Sequence, residues 1–267
     1  MRDKQDKQTN RGTKRDLSGR IKSGIIALFT LALVLGGALP LFSITAEEII
    51  RKMEANQVHN TSYSEGEIHI ADRFGTKTST FRSWSEGDER MLLEFTSRAE
   101  RGQKILRTED EIYLFFPDAD ELIRLQGAAL RDSVLGSDIS YEDMTGDKGI
   151  LDSYKVKLLG EEAIDGKACY KVELEAISRD VPYPKEIMWV DKELFVFRQV
   201  HRFSLSGRLL KELKVLELTE QKGKVFPVHL FLDDTMKSKS STEFITTKIE
   251  IGVDIPSNTF SLQELTW

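Results

Sequence analysis

Hydrophobic and polar residues alternate along most of the chain from residue 62 onward, the period-two signature of strands that bury one face. "SEGEIHIAD" sets Ile68 and Ile70 against Glu67 and His69. "ERMLLEFTS" puts Met91, Leu93 and Phe95 on one face, and "DEIYLFFPD" does the same for Ile112, Leu114 and Phe116. The pattern continues through "YKVELEAI", "PKEIMWVD" (Ile187 and Trp189 on one side), "LFVFRQVHRF", "LLKELKVLEL", "KVFPVHLFLDD" and "TTKIEIGVD". Turn pairs separate these runs: Asp165-Gly166, Asp191-Lys192, Ser206-Gly207 and Lys222-Gly223. Gly207 and Gly223 can supply the positive φ of tight hairpins. About ten to thirteen hairpin-linked strands without βαβ alternation predict a mainly β fold. A sheet that wide curls, so the expectation is a large curved antiparallel sheet with a few short helices.

Two segments break the alternation. "EEIIRKMEANQ" has helical spacing, with Ile49, Ile50, Met53 and Gln57 on one face and Glu47 and Glu48 in the first turn, where the helix dipole favours them. The second segment, "LRDSVLGSDISYEDM" at residues 130–144, lies between strand-like runs. A helical turn or two should end at Gly136, and a second short helix should follow. Ser140 at its N-cap would accept from the Asp143 amide, and Asp143 would return a bond to the Ser140 amide. Asp138 is the competing cap. Asp138, Ser140 and Asp143 are thus lid and cap candidates rather than a reactive cluster.

The N-terminus changes the domain picture. Residues 1–22 carry eight Lys/Arg and three Asp, and an apolar run, "GIIALFTLALVLGGALPLF", follows. Its core is about 12–16 residues, the length of a signal-peptide h-region rather than of a membrane span. "SITA" then offers small residues. Residues 1–46 are expected to be a signal peptide cut after Ala46, with an uncleaved anchor as the alternative, and residues 47–267 a single domain. The whole chain has 38 basic and 44 acidic residues; without the leader 30 and 41 remain, a net charge of −11. So acidic a surface argues against nucleic acid as a partner. The single cysteine, Cys169, excludes an internal disulfide, sits in a strand pattern, and is not placed to carry a lipid after the apolar run.

Catalytic patterns are scarce. There is no G-x-S-x-G elbow and no glycine-rich phosphate loop before a helix. His59, His69, His201 and His229 have no metal-ligand spacing, and Asp138, Asp143 and Asp147 lack the glutamate that would complete a calcium loop. No metal or cofactor is expected. Aromatic residues are plentiful in the strands, and an apolar sheet face with few helices to cover it must meet a partner or a ligand.

The ordered set "AEEIIRKM", "RMLLEFTSRAERGQKILR", "IYLFFPDADELIRL", "LGSDISYEDM", "LLGEEAIDGKACYKVELEA", "YPKEIMWVDKELFVFRQVHRFSLSGRLLKEL" and "DIPSNTFSLQEL" resembles the outer-membrane lipoprotein-sorting (LolA-like) family in its broader branch. The resemblance spans residues 47–267. It implies an incomplete antiparallel β-barrel with short helices as a lid over an apolar cavity, and a non-enzymatic periplasmic carrier that holds the acyl chains of lipoproteins or lipids in that cavity for transfer towards the outer membrane. The implied partners are those acyl chains, an inner-membrane export permease and an outer-membrane acceptor. Met91, Leu93, Phe95, Ile112, Leu114, Phe116, Ile187 and Trp189 are the cavity candidates. Arg82, Arg90, Arg98, Arg101 and Arg107 compete for the place of the family's functional arginine. Two other readings stay open: a hydrolase using the acidic loop at 138–147, and a non-carrier accessory subunit of an envelope lipid-export complex.

Overall fold

A computed structural model describes residues 44–266 apart from 58, 110, 145–148 and 180, so the expected leader up to residue 43 lies outside the described residues. Thirteen strands form one antiparallel sheet. The first meander is β1 (Thr61–Asp72), β2 (Gly75–Glu86), β3 (Arg90–Phe95), β4 (Lys104–Arg107), β5 (Ile112–Phe116) and β6 (Glu121–Leu125). The second is β7 (Tyr154–Ile164), β8 (Lys167–Ala176), β9 (Lys185–Asp191), β10 (Phe197–Phe203), β11 (Leu209–Gln221), β12 (Lys224–Asp234) and β13 (Ser241–Ile251). The meanders join where β1 pairs with β13, which leaves β6 and β7 as the two edges.

The sheet is open, in keeping with the expected incomplete barrel, and is not a closed β-barrel. Closure would require β6 to pair with β7. The two are consecutive in sequence, but residues 126–153 connect them across one face of the sheet rather than through a hairpin. The tight turns follow the sequence signals: Asp165-Gly166 and Lys222-Gly223 both take positive φ at their two central residues, the conformation that matches strand twist in a two-residue hairpin.

Alternation gives the sheet two chemically different faces. The inner face carries two large apolar clusters. One lies on β7–β11 and is covered by helix α1 (Ala46–Gln57), whose Ala46, Ile49, Ile50 and Met53 pack on Tyr154, Val172, Leu174, Met188, Val190 and Val200. The other lies on β1–β6 beneath residues 126–144. On the outer face a smaller cluster of Leu92, Leu106 and Phe115 is covered by Leu265 of the C-terminal helix α3 (Leu262–Leu265). Among the described residues no helix is long and apolar enough to cross a membrane.

Helix α1 starts on a reciprocal cap. The Thr45 amide donates to Glu48 Oε2 at 3.0 Å, and the Glu48 amide donates to Thr45 Oγ1 at 3.2 Å. Two amides that would otherwise lack partners are satisfied at once. Thr45→Ala should therefore cost about 1 kcal/mol of stability in a chain that retains residue 45, read as a lower denaturant midpoint with an unchanged m-value.

Candidate functional site

Six of the eight cavity candidates come together. Leu93 on β3 is in register with Ile105 on β4, Leu114 on β5 and Ile123 on β6. Met91, Phe95, Ile112 and Phe116 share that face and that cluster. Ile187 and Trp189 do not join them. They pack with Cys169, Ile164 and Phe203 on the outer face, while Met188 between them faces α1. The cause is visible in the strand: every residue from 186 to 191 is buried, so hydrophobicity could not tell the two faces apart. Of the competing arginines, Arg82 and Arg90 pair with Glu94 and Glu86, and Arg98 and Arg101 are exposed. Arg107 is in register with Met91 and Ile112 and donates to the Asp88 carbonyl.

The inner face of β1–β6 is covered by the chain itself. Residues 126–144 form a strap with short 3-10 turns at Gly127–Arg131, Val134–Gly136 and Tyr141–Met144, and one helical turn, α2 (Ile150–Ser153), leads into β7. Val134 is fully buried, and Leu130, Leu135, Ile139, Tyr141 and Met144 pack beside it on the strand side chains. The strap doubles back on itself, with the Val134 amide donating to the Ile139 carbonyl at 2.8 Å. Leu135, at φ 54°, and Gly136, at φ 83°, make that reversal. Where the cluster reaches the surface, Phe116, Pro117, Ala119 and Ile123 line an open depression of about 450 Å³.

Polar contacts hold the strap to the sheet. Asp138 is almost completely buried; its amide donates to Thr242 Oγ1 at 2.8 Å, and the Thr242 hydroxyl donates back to Asp138 Oδ2 at 3.0 Å. Lys237 lies 3.8 Å from Asp138 Oδ1 and donates to Ser133 Oγ at 2.7 Å. Asp143 makes the densest set of bonds. Its Oδ1 accepts from Arg202 Nη1 at 2.6 Å and from the Tyr183 hydroxyl at 2.7 Å. Its Oδ2 accepts from Lys211 Nζ, from the Ser140 amide at 2.8 Å and from the Ser140 hydroxyl at 2.7 Å. Half of the expected capping box is thus present: the Asp143 carboxylate does return to the Ser140 amide. The Asp143 amide meets the Ser140 carbonyl, however, because the Ser140 hydroxyl turns to the carboxylate and accepts from Lys211. Asp138 caps nothing; Thr242 takes its carboxylate.

Electrostatics follows from burial. Removal from water would raise the Asp143 carboxyl, but Arg202 and Lys211 outweigh that and hold it at about 2 against an ordinary 3.8. Burial would weaken the Arg202 charge, yet the carboxylates of Glu186 and Asp143 raise its pKa above the ordinary value. Burial and the adjacent Asp143 charge push the Tyr183 phenol up, so it remains a donor. Burial, then Asp143, raises Glu142. Among the described residues no group of three His, Cys, Asp or Glu side chains is arranged to hold a metal ion.

Arg202, Lys211, Tyr183 and Thr242 were missed as site residues. Parity carried a signal for two of them. Lys211 is two and four residues from Leu213 and Val215, and Arg202 two from Val200, all inward-facing. A cation placed in phase with buried aliphatics needs an inner partner.

The sign of the pH dependence follows from the depressed Asp143 value. Its contribution is complete above the ordinary 3.8 and is lost as pH falls towards about 2. That interval corresponds to about 2 kcal/mol. The stability difference between the protein and Asp143→Asn should be flat from about pH 5 to 8 and shrink by about 2 kcal/mol on acidification to about pH 2, measured by urea unfolding at each pH. Ser140→Ala should cost about 0.5–2 kcal/mol, since it removes one bond to the carboxylate and one acceptor for Lys211.

Three solved structures share the fold. A DUF1329 family protein from Desulfovibrio piger superposes with a TM-score of 0.77 at 20% identity, covering 84% of this chain and 100% of that one. An outer membrane lipoprotein-sorting protein domain from Vibrio parahaemolyticus gives 0.75 at 20% identity, covering 82% and 97%. A LolA superfamily protein from Nitrosomonas europaea gives 0.69 at 25% identity, covering 83% and 100%. No curated protein matches the chain. A family profile described as "Uncharacterized protein"-like matches residues 87–267. The chain belongs to that family, and its fold is the LolA-like fold of lipoprotein-sorting proteins.

Proposed function

We propose that the protein is a non-enzymatic carrier that takes acyl chains onto the inner face of β1–β6 when the strap lifts. One observation carries this reading: an apolar cluster drawn from six strands is covered by a connecting segment that holds little regular structure and is fastened at a few polar points. Connections of that length inside a compact domain are uncommon and are often functional covers. Each methylene moved from water onto the face contributes about 0.8 kcal/mol, so a chain of a dozen carbons can compete with the few aliphatic side chains of the strap. The depression beside Phe116 and Ile123 offers an entry that does not require the whole strap to leave. Asp143 acts as the counterion of Arg202 and Lys211 on the sheet, and Asp138 lies beside Lys237 of the β12–β13 loop, which supports a carrier over a hydrolase.

The proposed setting is the periplasm, reached through a leader at residues 1–46, with a membrane donor on one side and an outer-membrane acceptor on the other. A cut after Ala46 would remove Thr45 and with it the reciprocal cap of α1, leaving the released helix to begin at Glu47. N-terminal sequencing of the exported protein separates this from an uncleaved anchor, which would retain Met1.

Carrier and plain core make opposite predictions for the strap. Val134→Ala should lower stability by about 1–2 kcal/mol on either reading. In a carrier it should also raise binding of a fluorescent acyl probe, because the side chain that competes with the ligand is smaller. Leu93→Glu, checked for folding on the same sample, should abolish loading. Native mass spectrometry with lipid extraction of the exported protein should find bound acyl lipid. Lipid-free protein, together with a destabilised Val134→Ala that binds no more probe than the parent, would sink the proposal.

A further inference from the structure

Resting on the carrier reading, we infer that Arg202 and Lys211 form a headgroup site for an anionic amphiphile, and that the strap's Asp143 occupies this site as an internal stand-in for the ligand's anion. The cations come from adjacent strands, β10 and β11, at paired register positions, and both point to the inner face. Their strands carry Val200 and Leu213 of the first cluster, β12 and β13 separate them from β1, and the Asp143 they hold is next in sequence to Met144 of the second cluster, so the tail of a bound amphiphile would run from them across β12 and β13 towards β1–β6. Their counterion differs in kind from the rest of the sheet's chemistry. It comes from the strap, the element that must move. Glu186 on β9, at 3.7 Å from Arg202 Nε, balances only one of the two charges once Asp143 leaves.

The geometry of the pocket suits a tetrahedral or planar oxyanion. Asp143 presents two oxygens that together accept from Arg202 Nη1, Tyr183 Oη, Lys211 Nζ and the Ser140 hydroxyl and amide. Three of those donors, on Arg202, Tyr183 and Lys211, stay behind when the strap lifts. Arg202 Nε makes no hydrogen bond and lies 3.7 Å from Glu186 Oε2, so the guanidinium keeps one carboxylate beside it on β9 and offers Nη1 to the strap side. Tyr183 lies beneath both cations, with the Arg202 guanidinium 4.6 Å and Lys211 Nζ 5.8 Å from its ring, which fixes their positions in the absence of the strap. An uncharged amphiphile that lifts the strap leaves a cation uncompensated in a poorly hydrated site; a phosphate or carboxylate headgroup replaces Asp143 bond for bond.

The test compares amphiphiles of one tail length, below their micelle concentrations, by calorimetry: hexadecyl phosphate, hexadecyl maltoside, and inorganic phosphate without a tail. The expected result is that hexadecyl phosphate binds about tenfold or more tighter than the maltoside, or ~1.4 kcal/mol. Asp143→Asn should widen that ratio, because the internal competitor is neutral. The double variant Asp143→Asn with Lys211→Met, which removes both partners together and so keeps the buried charges balanced, should erase the preference, and Lys211→Arg should retain it. Binding of inorganic phosphate to Asp143→Asn with equal affinity would assign the site to a free anion; binding only of the tailed phosphate assigns it to a headgroup. Equal affinity of the parent protein for phosphate and maltoside amphiphiles would overturn the headgroup site and leave the carrier standing. Binding of no amphiphile to either the parent or Asp143→Asn would overturn both.

Discussion

The arrangement depends on one constraint: a thirteen-stranded sheet with an apolar face must have that face covered, and among the described residues there is a single three-turn helix to do it. Helix α1 covers the strands of the second meander, where Ile49, Ile50 and Met53 leave no exposed aliphatic surface beneath it. For the first meander only the β6–β7 connection remains. It must span the sheet from edge to edge, and so it cannot also be a compact helical layer. The open sheet, the strap and the unpaired edges at β6 and β7 are three consequences of this one shortage.

A cover made from a connecting segment is held differently from a packed helix. Its apolar contribution comes from a handful of side chains around Val134, and its backbone makes short-range turns rather than a continuous ladder. Polar anchors then matter more. They are placed in two groups, Asp138 with Thr242 and Lys237, and Asp143 with Arg202, Lys211 and Tyr183. Buried ion pairs of this kind add little net stability over an apolar replacement, because desolvation offsets most of their attraction. What they do supply is a definite seat: the strap closes in one register, since any other leaves cations on β10 and β11 without a counterion.

Much of the fold was legible in the alternation, and its failures have physical causes. The strands with one buried face, such as β3, β5 and β8, are plain in the sequence. β2 was not, because "GTKTSTFRSWSE" faces inward largely with small hydroxyls: Ser83 and Ser85 pair with Ser64 and Ser62 at 2.7 and 2.6 Å. Four-residue β4 is too short to display a period, and β7 carries glutamates and lysines on the side the solvent reaches. In β9 the failure was of another kind: burial on both sides removed the contrast that assigns a face, and Ile187 and Trp189 were placed on the wrong one. For the site, the strap's acids were recognised as structural, but their partners were not, because Ser140 and Asp143 can satisfy each other locally. The reciprocal cap at Thr45 and Glu48 has the sequence form T-x-x-E and spans the expected cleavage point, so Thr45 was read as leader and Glu48 only as a first-turn acid.

The two halves of the inner face also differ in how they could respond to a ligand. On the second meander, α1 is held by its buried Ile49, Ile50 and Met53 and by Asn56, which donates to the Leu194 and Phe195 carbonyls near its end. Glu54 of the same helix accepts from the Ile150 amide, which fixes the point where the strap meets β7. The strap therefore has one end fastened to a rigid helix and the other leaving a short edge strand, β6, whose outward residues are largely exposed. In the proposed carrier, a strap that lifts from the β6 end would uncover Phe116, Ile123 and Leu114 before the charged seat around Asp143. An apolar tail would then enter before its polar end is engaged, and the seat on β10 and β11 would decide which tails are kept.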